Sequence, residues 1–271
     1  MRNVYLFILL VSAYGFASGQ SINEKFTHLT SEQGLSQSNV TCIIQDSKGF
    51  MWFGTRDGLN KYDGYKITVY RNDPADSTSI AHNYIWTIYE DRQGQLWVGT
   101  DDGGLNLYDR GKDNFTRFLN DPNDPNSISS NKVRSVFQDS QGNFWVGYIN
   151  KGFDLFDKSK KKIKSFQRDP LDPKGFLGAG VIDFVEDLKG NFWIASLDAG
   201  VYILDRKTFD FTAFQFDPEN ENSLSHNHLF KLYQDSKGDI WVGTRDYGFN
   251  LYLPEIKGFK RFKNEPGNPI V

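Results

Sequence analysis

The sequence predicts an all-β protein, a β-propeller of four-stranded antiparallel blades, and three observations support that prediction. Aromatic residues make up 15% of the chain, and such rings pack well on a pleated sheet. The sequence around five tryptophans is nearly the same each time, as in DSQGNFWVGY at 139–148 and DSKGDIWVGT at 235–244. The intervals between these tryptophans are 45, 48, 48 and 48 residues, for Trp52, Trp97, Trp145, Trp193 and Trp241. A fixed period of this length, filled with short strands, is typical of a propeller or a solenoid.

Each repeat divides into four short strands, A to D. In the third repeat we expect strands at 133–138, 144–148, 153–156 and 163–166, joined by turns that contain glycine or charged residues. Beyond the N-terminal segment, apolar residues follow a period of two rather than the 3.6 of a helix. Four antiparallel strands per unit make one propeller blade. The predicted blades are approximately residues 38–72, 83–120, 131–168, 179–216 and 227–264.

The two ends of the repeat array suggest a larger ring. Residues 26–29 match the D strand of other repeats, so they predict an N-terminal closing strand. Blade five already has its own D strand near Phe262, and residues 267–271 resemble the approach to a sixth A strand. We therefore expect part of a larger propeller. A five-bladed ring with a loose N-terminal strand also fits this pattern.

The N-terminal 19 residues have the features of a signal peptide. Arg2 supplies the positive region, residues 4–11 are apolar, and Ala17-Ser18-Gly19 has the small-x-small form of a cleavage site. The apolar run is shorter than the roughly 20 residues that span a bilayer. We therefore expect an exported, periplasmic protein with no membrane span in this chain. The alternative is a buried N-terminal core helix.

Composition excludes several classes of function. The net charge is −3, so there is no basic excess to neutralise a phosphate backbone, and we expect no nucleic-acid partner. Cys42 is the single cysteine; it cannot form an intramolecular disulfide or a cysteine-based zinc site, and we interpret it as a core residue. The aspartates that open the A–B turns lack further carboxylate partners, so we predict neither a metal nor another cofactor.

Function is expected where the repeats differ, on the blade face formed by the B–C and D–A loops. Planar polar side chains bind pairs of hydroxyls and aromatic rings stack on sugars, so this face suits an oligosaccharide or another small ligand. A solvated loop rim is the alternative. Arg134, Asp183 and Lys231 lie on A strands and either face the ligand or form ion pairs between blades. The candidate ligand-binding residues are Arg56, Asp57, Trp86, Asp101, Asp102, Arg134, Lys151, Asp183, His228, Lys231, Arg245 and Tyr247.

These units resemble the two-component regulator propeller repeat, through the pattern D-x-x-G-x-[FILM]-W-[VFI]-G-T followed by G-[GL]-x-x-[YF]-D. The resemblance covers nearly all of residues 26–271, with departures at Ile194-Ala195-Ser196 and Tyr148. It implies the periplasmic sensor of a hybrid two-component system, which binds oligosaccharides from polysaccharide breakdown. In that family a β-sandwich, a transmembrane helix, a histidine kinase and a response regulator follow the propellers. The implied partners of this non-catalytic chain are a ligand and the rest of its parent protein or a dimer partner.

Two other functions compete with ligand sensing. An exported propeller scaffold for protein–protein interaction is one, because propellers bind proteins on one face and fold does not fix function. A glycosidase is the other. However, the segment Asp46–Trp52 is one residue longer than a sialidase Asp-box, and neighbours such as Asp101 and Asp102 face opposite sides of a strand. We therefore expect no catalytic residues in this chain.

Overall fold

The five repeats fold into five separate antiparallel sheets of four strands each. The computed structural model describes residues 28–172 and 174–263. Within each sheet the strands follow chain order, from the innermost strand A to the outermost strand D. The innermost strands of successive blades pack side by side, from β1 (Val40–Gln45) through β5 (Ile85–Glu90), β9 (Val133–Gln138) and β13 (Val181–Glu186) to β17 (Leu229–Gln234). This arrangement is the predicted propeller.

The remaining strands complete the blades. Blade 1 adds β2 (Met51–Thr55), β3 (Gly58–Tyr62) and β4 (Ile67–Tyr70), and blade 2 adds β6 (Leu96–Thr100), β7 (Leu105–Asp109) and β8 (Asn114–Phe118). Blade 3 adds β10 (Phe144–Tyr148), β11 (Phe153–Phe156) and β12 (Lys162–Phe166). Blade 4 adds β14 (Phe192–Ser196), β15 (Val201–Leu204) and β16 (Phe211–Phe214), and blade 5 adds β18 (Ile240–Thr244), β19 (Phe249–Leu253) and β20 (Gly258–Phe262). In the third repeat three strands have their predicted bounds, and strand D begins one residue earlier.

Every innermost strand carries one β-bulge at the same place. The register slips there by one residue, so that a single residue has no direct partner on strand B. The skipped residues are Thr41, Trp86, Arg134, Ile182 and Phe230. Because the residue at each bulge has no partner on strand B, its identity differs from blade to blade. The strand pairing on either side of the bulge is the same in all five blades.

The hydrophobic core lies between the blades. Trp52, for example, is fully buried in a cluster with Ile85, Ile88 and Tyr108 of blade 2. Trp97, Trp145 and Trp193 are buried against the following blade in the same way. These four tryptophans therefore lie between neighbouring blades, where each ring buries about 200 Å².

The repeated aspartates organise the A–B turns. Asp46 Oδ1 accepts the backbone N–H groups of Lys48 and Phe50, as predicted for a turn residue. Its second oxygen accepts the indole N–H of Trp52 at 2.8 Å, and the same Asp–Trp hydrogen bond recurs in all five blades. Asp46 also pairs with Arg110 of blade 2 at 2.7 Å. The aspartate therefore ties the turn to the core and to the next blade.

The outer faces of the first and last blades are less covered than the interior. Trp241 of blade 5 is partly exposed, unlike the four other repeated tryptophans. Phe230 and Tyr233 on β17 are 63% and 60% exposed, and Ile43 on β1 is 56% exposed. Among the described residues, blade 5 does not pack against blade 1 as neighbouring blades do.

The N-terminal predictions are only partly covered by the structure. The signal peptide at 1–19, Phe26 and Thr27 of the closing strand, and residues 267–271 lie outside the described residues. His28 and Leu29 are in irregular structure and precede a short 3₁₀ helix, Ser31–Gln33, which Thr30 caps. Within residues 28–172 and 174–263, no helix has the length and apolar character needed to cross a membrane.

Candidate ligand-binding face

A ladder of stacked side chains crosses blades 1 to 3 on the face formed by the B–C and D–A loops. The rings of Tyr84 and Trp86 stack with their centres 4.4 Å apart. Arg56, in the B–C turn of blade 1, lies 5.4 Å from the Tyr84 ring centre. Arg134, at the bulge of β9, lies 4.8 Å from the Trp86 ring centre. Guanidinium groups at these distances interact favourably with aromatic rings.

Asp101 fixes the orientation of Trp86. Its Oδ1 accepts the indole N–H of Trp86 at 3.1 Å. Lys132 lies 3.8 Å from the same oxygen and donates to the Asp101 backbone carbonyl. Because both ring faces of Trp86 are covered and its N–H is used, this tryptophan supports the ladder. The structure places Trp86, one of the predicted ligand-binding residues, between Tyr84 and Arg134, and its role in binding stays a prediction.

Arg134 is the residue of the ladder that is best placed to contact a ligand. Burial lowers its pKa, and the nearby charge of Asp183 opposes that shift. Arg134 and Arg56 interact with ring faces, and neither forms an ion pair or donates a side-chain hydrogen bond within the described residues. A planar guanidinium with free N–H edges is suited to bind a carboxylate or adjacent hydroxyls.

A second cluster lies on blade 5. The rings of His226 and Tyr247 stack at 4.1 Å with an angle of 4° between their planes. His228 meets His226 edge-on at 4.7 Å, which confirms that the two histidines point the same way. Phe216 stacks on His226 at 6.4 Å. Burial lowers the pKa of His226, with a further contribution from His228, while Asp246 acts in the opposite direction.

The two remaining A-strand charges form an ion pair between blades. Asp183 Oδ2 lies 2.9 Å from Lys231 Nζ and accepts the backbone N–H of Leu232 at 3.0 Å. This contact resolves the two alternatives for the pair in favour of the ion pair. Arg134 does not occupy the same strand position as Asp183 and Lys231, because it lies at the bulge. In blade 3 the residue equivalent to Asp183 is Ser135: Ser135 pairs with Gly147 as Asp183 pairs with Ala195.

Four predicted residues lie outside both clusters or at their edges. Asp57 pairs with Arg71 at 3.0 Å, and Arg245 lies 3.9 Å from its neighbour Asp246. Asp102 and Lys151 are exposed loop residues. Across the described residues, no three His, Cys, Asp or Glu side chains gather in a way that could hold a metal ion.

Four residues of the two clusters were not among the predicted binding residues: Tyr84, Lys132, Phe216 and His226. Tyr84 could have been predicted from the sequence, because Tyr84 and Trp86 are two residues apart in an extended segment and therefore face the same way. Phe216 follows an outer strand in a loop that we interpreted as a connection, and nothing in its local sequence indicates a stack.

Comparison with known sequences agrees with the repeat pattern. Residues 34–57, 79–102, 127–150 and 223–246 match the two component regulator propeller family. A stretch of 83 residues is 47% identical to histidine kinase P4 of Formosa agariphila and covers 30% of this chain and 6% of that protein.

Solved structures show the same architecture. The extracellular domain of a putative hybrid two component system from B. thetaiotaomicron has a TM-score of 0.75 and 28% identity, over 86% of this chain and 31% of that one. A second extracellular domain from the same organism, of a putative one component system, has a TM-score of 0.68 and 24% identity, over 84% and 31%. This chain thus spans about a third of these relatives. The family matches lie in four of the five blades, and all five blades share one strand order, as expected of two-component regulator propeller repeats.

Proposed function

We propose that this chain is the ligand-binding part of an exported two-component sensor and that it binds an oligosaccharide on the B–C and D–A face. The ladder is the observation that carries the proposal. Arg56 and Arg134 lie over ring faces, and their N–H edges remain available. A guanidinium held in this way loses little conformational entropy on binding.

The chemistry of the face favours a polyhydroxyl ligand. The Arg56 and Arg134 guanidinium groups can donate to neighbouring hydroxyls or to a uronic acid carboxylate. The exposed face of Tyr247, which is 47% exposed, offers a surface on which a sugar ring can stack. The two clusters together therefore provide both kinds of contact.

The sensor role rests on the repeats and on the names of relatives. Two of the similar structures are extracellular domains, one of a hybrid and one of a one component system, and the similar protein is a histidine kinase. Together with the predicted signal peptide, they support a periplasmic position and an output through a kinase in the parent protein. Regulation would require the ligand to bind two states of the sensor with different affinity.

Calorimetric titration of the purified chain with a panel of neutral and acidic oligosaccharides tests the binding proposal. We expect saturable heat from at least one glycan and about tenfold weaker binding for Arg134→Ala, the loss of one charge-assisted interaction. Tyr65→Ala is the matched control, because this 97% exposed ring lies in a C–D turn on the opposite face. No heat across the panel, or an equal loss in both variants, would contradict the proposal.

An interaction scaffold is the second candidate, and the apolar surface of the end blades favours it. Phe230 and Tyr233 are both exposed aromatic residues on β17. Sedimentation of the chain with and without Phe230→Ser and Tyr233→Ser tests this role. Self-association that these substitutions abolish would support an interaction surface, whereas a monomer at all concentrations would leave ligand binding as the better proposal.

A further inference from the structure

At three of the four boundaries between blades, an arginine or lysine from the C–D turn of one blade lies near the turn aspartate of the preceding blade. Arg110 reaches back from the C–D turn of blade 2 to Asp46 at 2.7 Å. Arg206 reaches from blade 4 to Asp139 at 3.2 Å, and Lys160 from blade 3 to Asp91 at 3.8 Å. In each case the acceptor is the aspartate that also holds the repeated tryptophan. These contacts lie on the face opposite the stacked ladder.

Among residues 28–172 and 174–263, the fourth boundary, between blades 4 and 5, has no such cation near its turn aspartate, Asp187. Pro254 occupies the position of Arg206, 48 residues further along the chain. In its place the structure has a cavity of about 370 Å³, lined by Asp187, Trp193, Ile240, Tyr252 and Pro254 among others. This volume lies at the lower end of the range for small-molecule pockets.

Asp187 is built like the aspartate that accepts a guanidinium one blade earlier. Its Oδ2 accepts Asn191 Nδ2 at 2.7 Å and the Trp193 indole at 2.9 Å. Asp139 Oδ2 accepts the equivalent Asn143 and Trp145 groups and, in addition, pairs with Arg206. Within the described residues, Asp187 has no cation inside ion-pair distance. The same carboxylate arrangement is thus present without the group that completes it elsewhere.

The cavity also offers aromatic surface to a cation. At the boundary of blades 2 and 3, Lys160 lies 5.1 Å from the centre of the Trp97 ring, and Trp193 is the equivalent ring here. Tyr252 meets Trp193 edge-on at 4.8 Å. Lys189, Lys237 and Asp239 also line the cavity, so its lining contains two lysines and two aspartates.

We propose that this cavity is a binding site for a guanidinium group, carried by a small molecule that takes the place of the missing arginine. The guanidinium would donate to Asp187 and lie against the Trp193 and Tyr252 rings. The site is separate from the oligosaccharide face and is independent of it.

Nuclear magnetic resonance of the tryptophan indole N–H groups in the 271-residue chain tests this site directly. L-arginine is the probe, and L-citrulline is the matched control because its ureido group has the same shape without the charge. We expect L-arginine to change the chemical shift of the Trp193 indole N–H in a saturable way. The expected dissociation constant is on the order of 1 mM, typical of one ion pair supported by an aromatic ring. Equal displacement by L-citrulline would overturn the proposal.

Two substitutions at one position separate binding from folding. Pro254→Arg restores the internal cation and should weaken L-arginine binding by at least about tenfold, the effect of filling a charge-assisted contact. Pro254→Ala leaves the cavity open and should retain binding. Equal affinity in both variants, or a response that does not saturate, would overturn the site.

A capped arginyl tripeptide distinguishes the source of the guanidinium. Tighter binding of free L-arginine supports a small-molecule ligand, and tighter binding of the peptide supports an arginine side chain of a partner at the same site. Binding of neither would overturn the proposal. An oligosaccharide titration of Pro254→Arg should be unchanged, which separates this site from the sensing face.

Discussion

The indole N–H of Trp145 donates a hydrogen bond of 3.0 Å to the carboxylate of Asp139, six residues earlier in the chain. Asp139 is completely buried, and it also accepts two backbone N–H groups of its own turn, from Gln141 and Asn143. Arg206 of the next blade completes its surroundings. One carboxylate thus joins a turn, a core ring and a neighbouring blade.

Replacement of this carboxylate should be costly. Asp139→Ala leaves the Arg206 guanidinium and several donors without their acceptor, so we expect a loss of about 3–5 kcal/mol in the free energy of unfolding, as for a broken buried ion pair. Urea denaturation measures it. Asp235→Ala is the matched control. Asp235 makes the same hydrogen bonds to its turn and its tryptophan, but within the described residues no arginine or lysine forms an ion pair with it. Equal losses would contradict the role given to Arg206.

The glycine on strand B should be intolerant of a methyl group where the next blade presses on it. A Cβ added at Gly147 would overlap Ser135 Oγ of its own blade and lie 3.0 Å from Val181 Cβ of blade 4, whereas one added at Gly243 would meet nothing nearer than 3.7 Å. Gly147→Ala should therefore lower the free energy of unfolding by about 1–3 kcal/mol, the usual cost of overpacking. Gly243→Ala should have little effect. Thermal unfolding of the two variants provides the comparison, and similar midpoints would refute it.

The histidine stack predicts a pH dependence. The pKa of His226 lies below its ordinary value of 6.5 because of burial and the charge of His228. The neutral ring is therefore favoured in the folded state, and its contribution to stability is present above pH 6.5 and is lost as the pH falls from 6.5 through the lowered pKa of the folded state. His228→Ala should raise the pKa of His226, and Asp246→Asn should lower it further. Proton resonance titration of the His226 ring measures both shifts, and shifts of the opposite sign would disprove the assignment.

The single cysteine should be unreactive in the folded chain. Burial raises the pKa of the Cys42 thiol to about 11. Because the thiolate is the reactive form and a free cysteine has a pKa near 8.5, reaction with a disulfide reagent at pH 8 should be at least about 100-fold slower than in unfolding urea. The Cys42→Ser variant has no thiol and gives the background rate of the assay. Equal rates in the folded and unfolded chain would show that the thiol is not protected.

The repeat made the architecture predictable from sequence. Strand bounds in blade 3 follow from the Asp-x-x-Gly turn and from alternation around Trp145, since these local signals set register directly. The inter-blade partners of Asp46 and Asp139 could not be predicted, because Arg110 and Arg206 come from turns whose sequence varies and whose reach depends on blade spacing.

The candidate site was predictable in part. Arg56 was predicted from its B–C loop and Arg134 from its place on an A strand, and the structure brings both to the stacked ladder. The bulge that separates Arg134 from Asp183 could not be predicted from a single sequence. The contact between Trp86 and Arg134 could not be predicted for a related reason, because Arg134 belongs to the next blade and only the packing of the two blades brings it over the Trp86 ring.

The bulge on each inner strand has a consequence for how such arrays diversify. Thr41, Trp86, Arg134, Ile182 and Phe230 occupy one structural position and differ in size and polarity. Thr41 donates to the Ile85 carbonyl of the next blade and Ile182 is buried in the core, so these two bulge residues help to hold the array together. Trp86 and Arg134 form part of the stacked ladder and Phe230 is exposed, so in three blades the same position can acquire new binding preferences one substitution at a time.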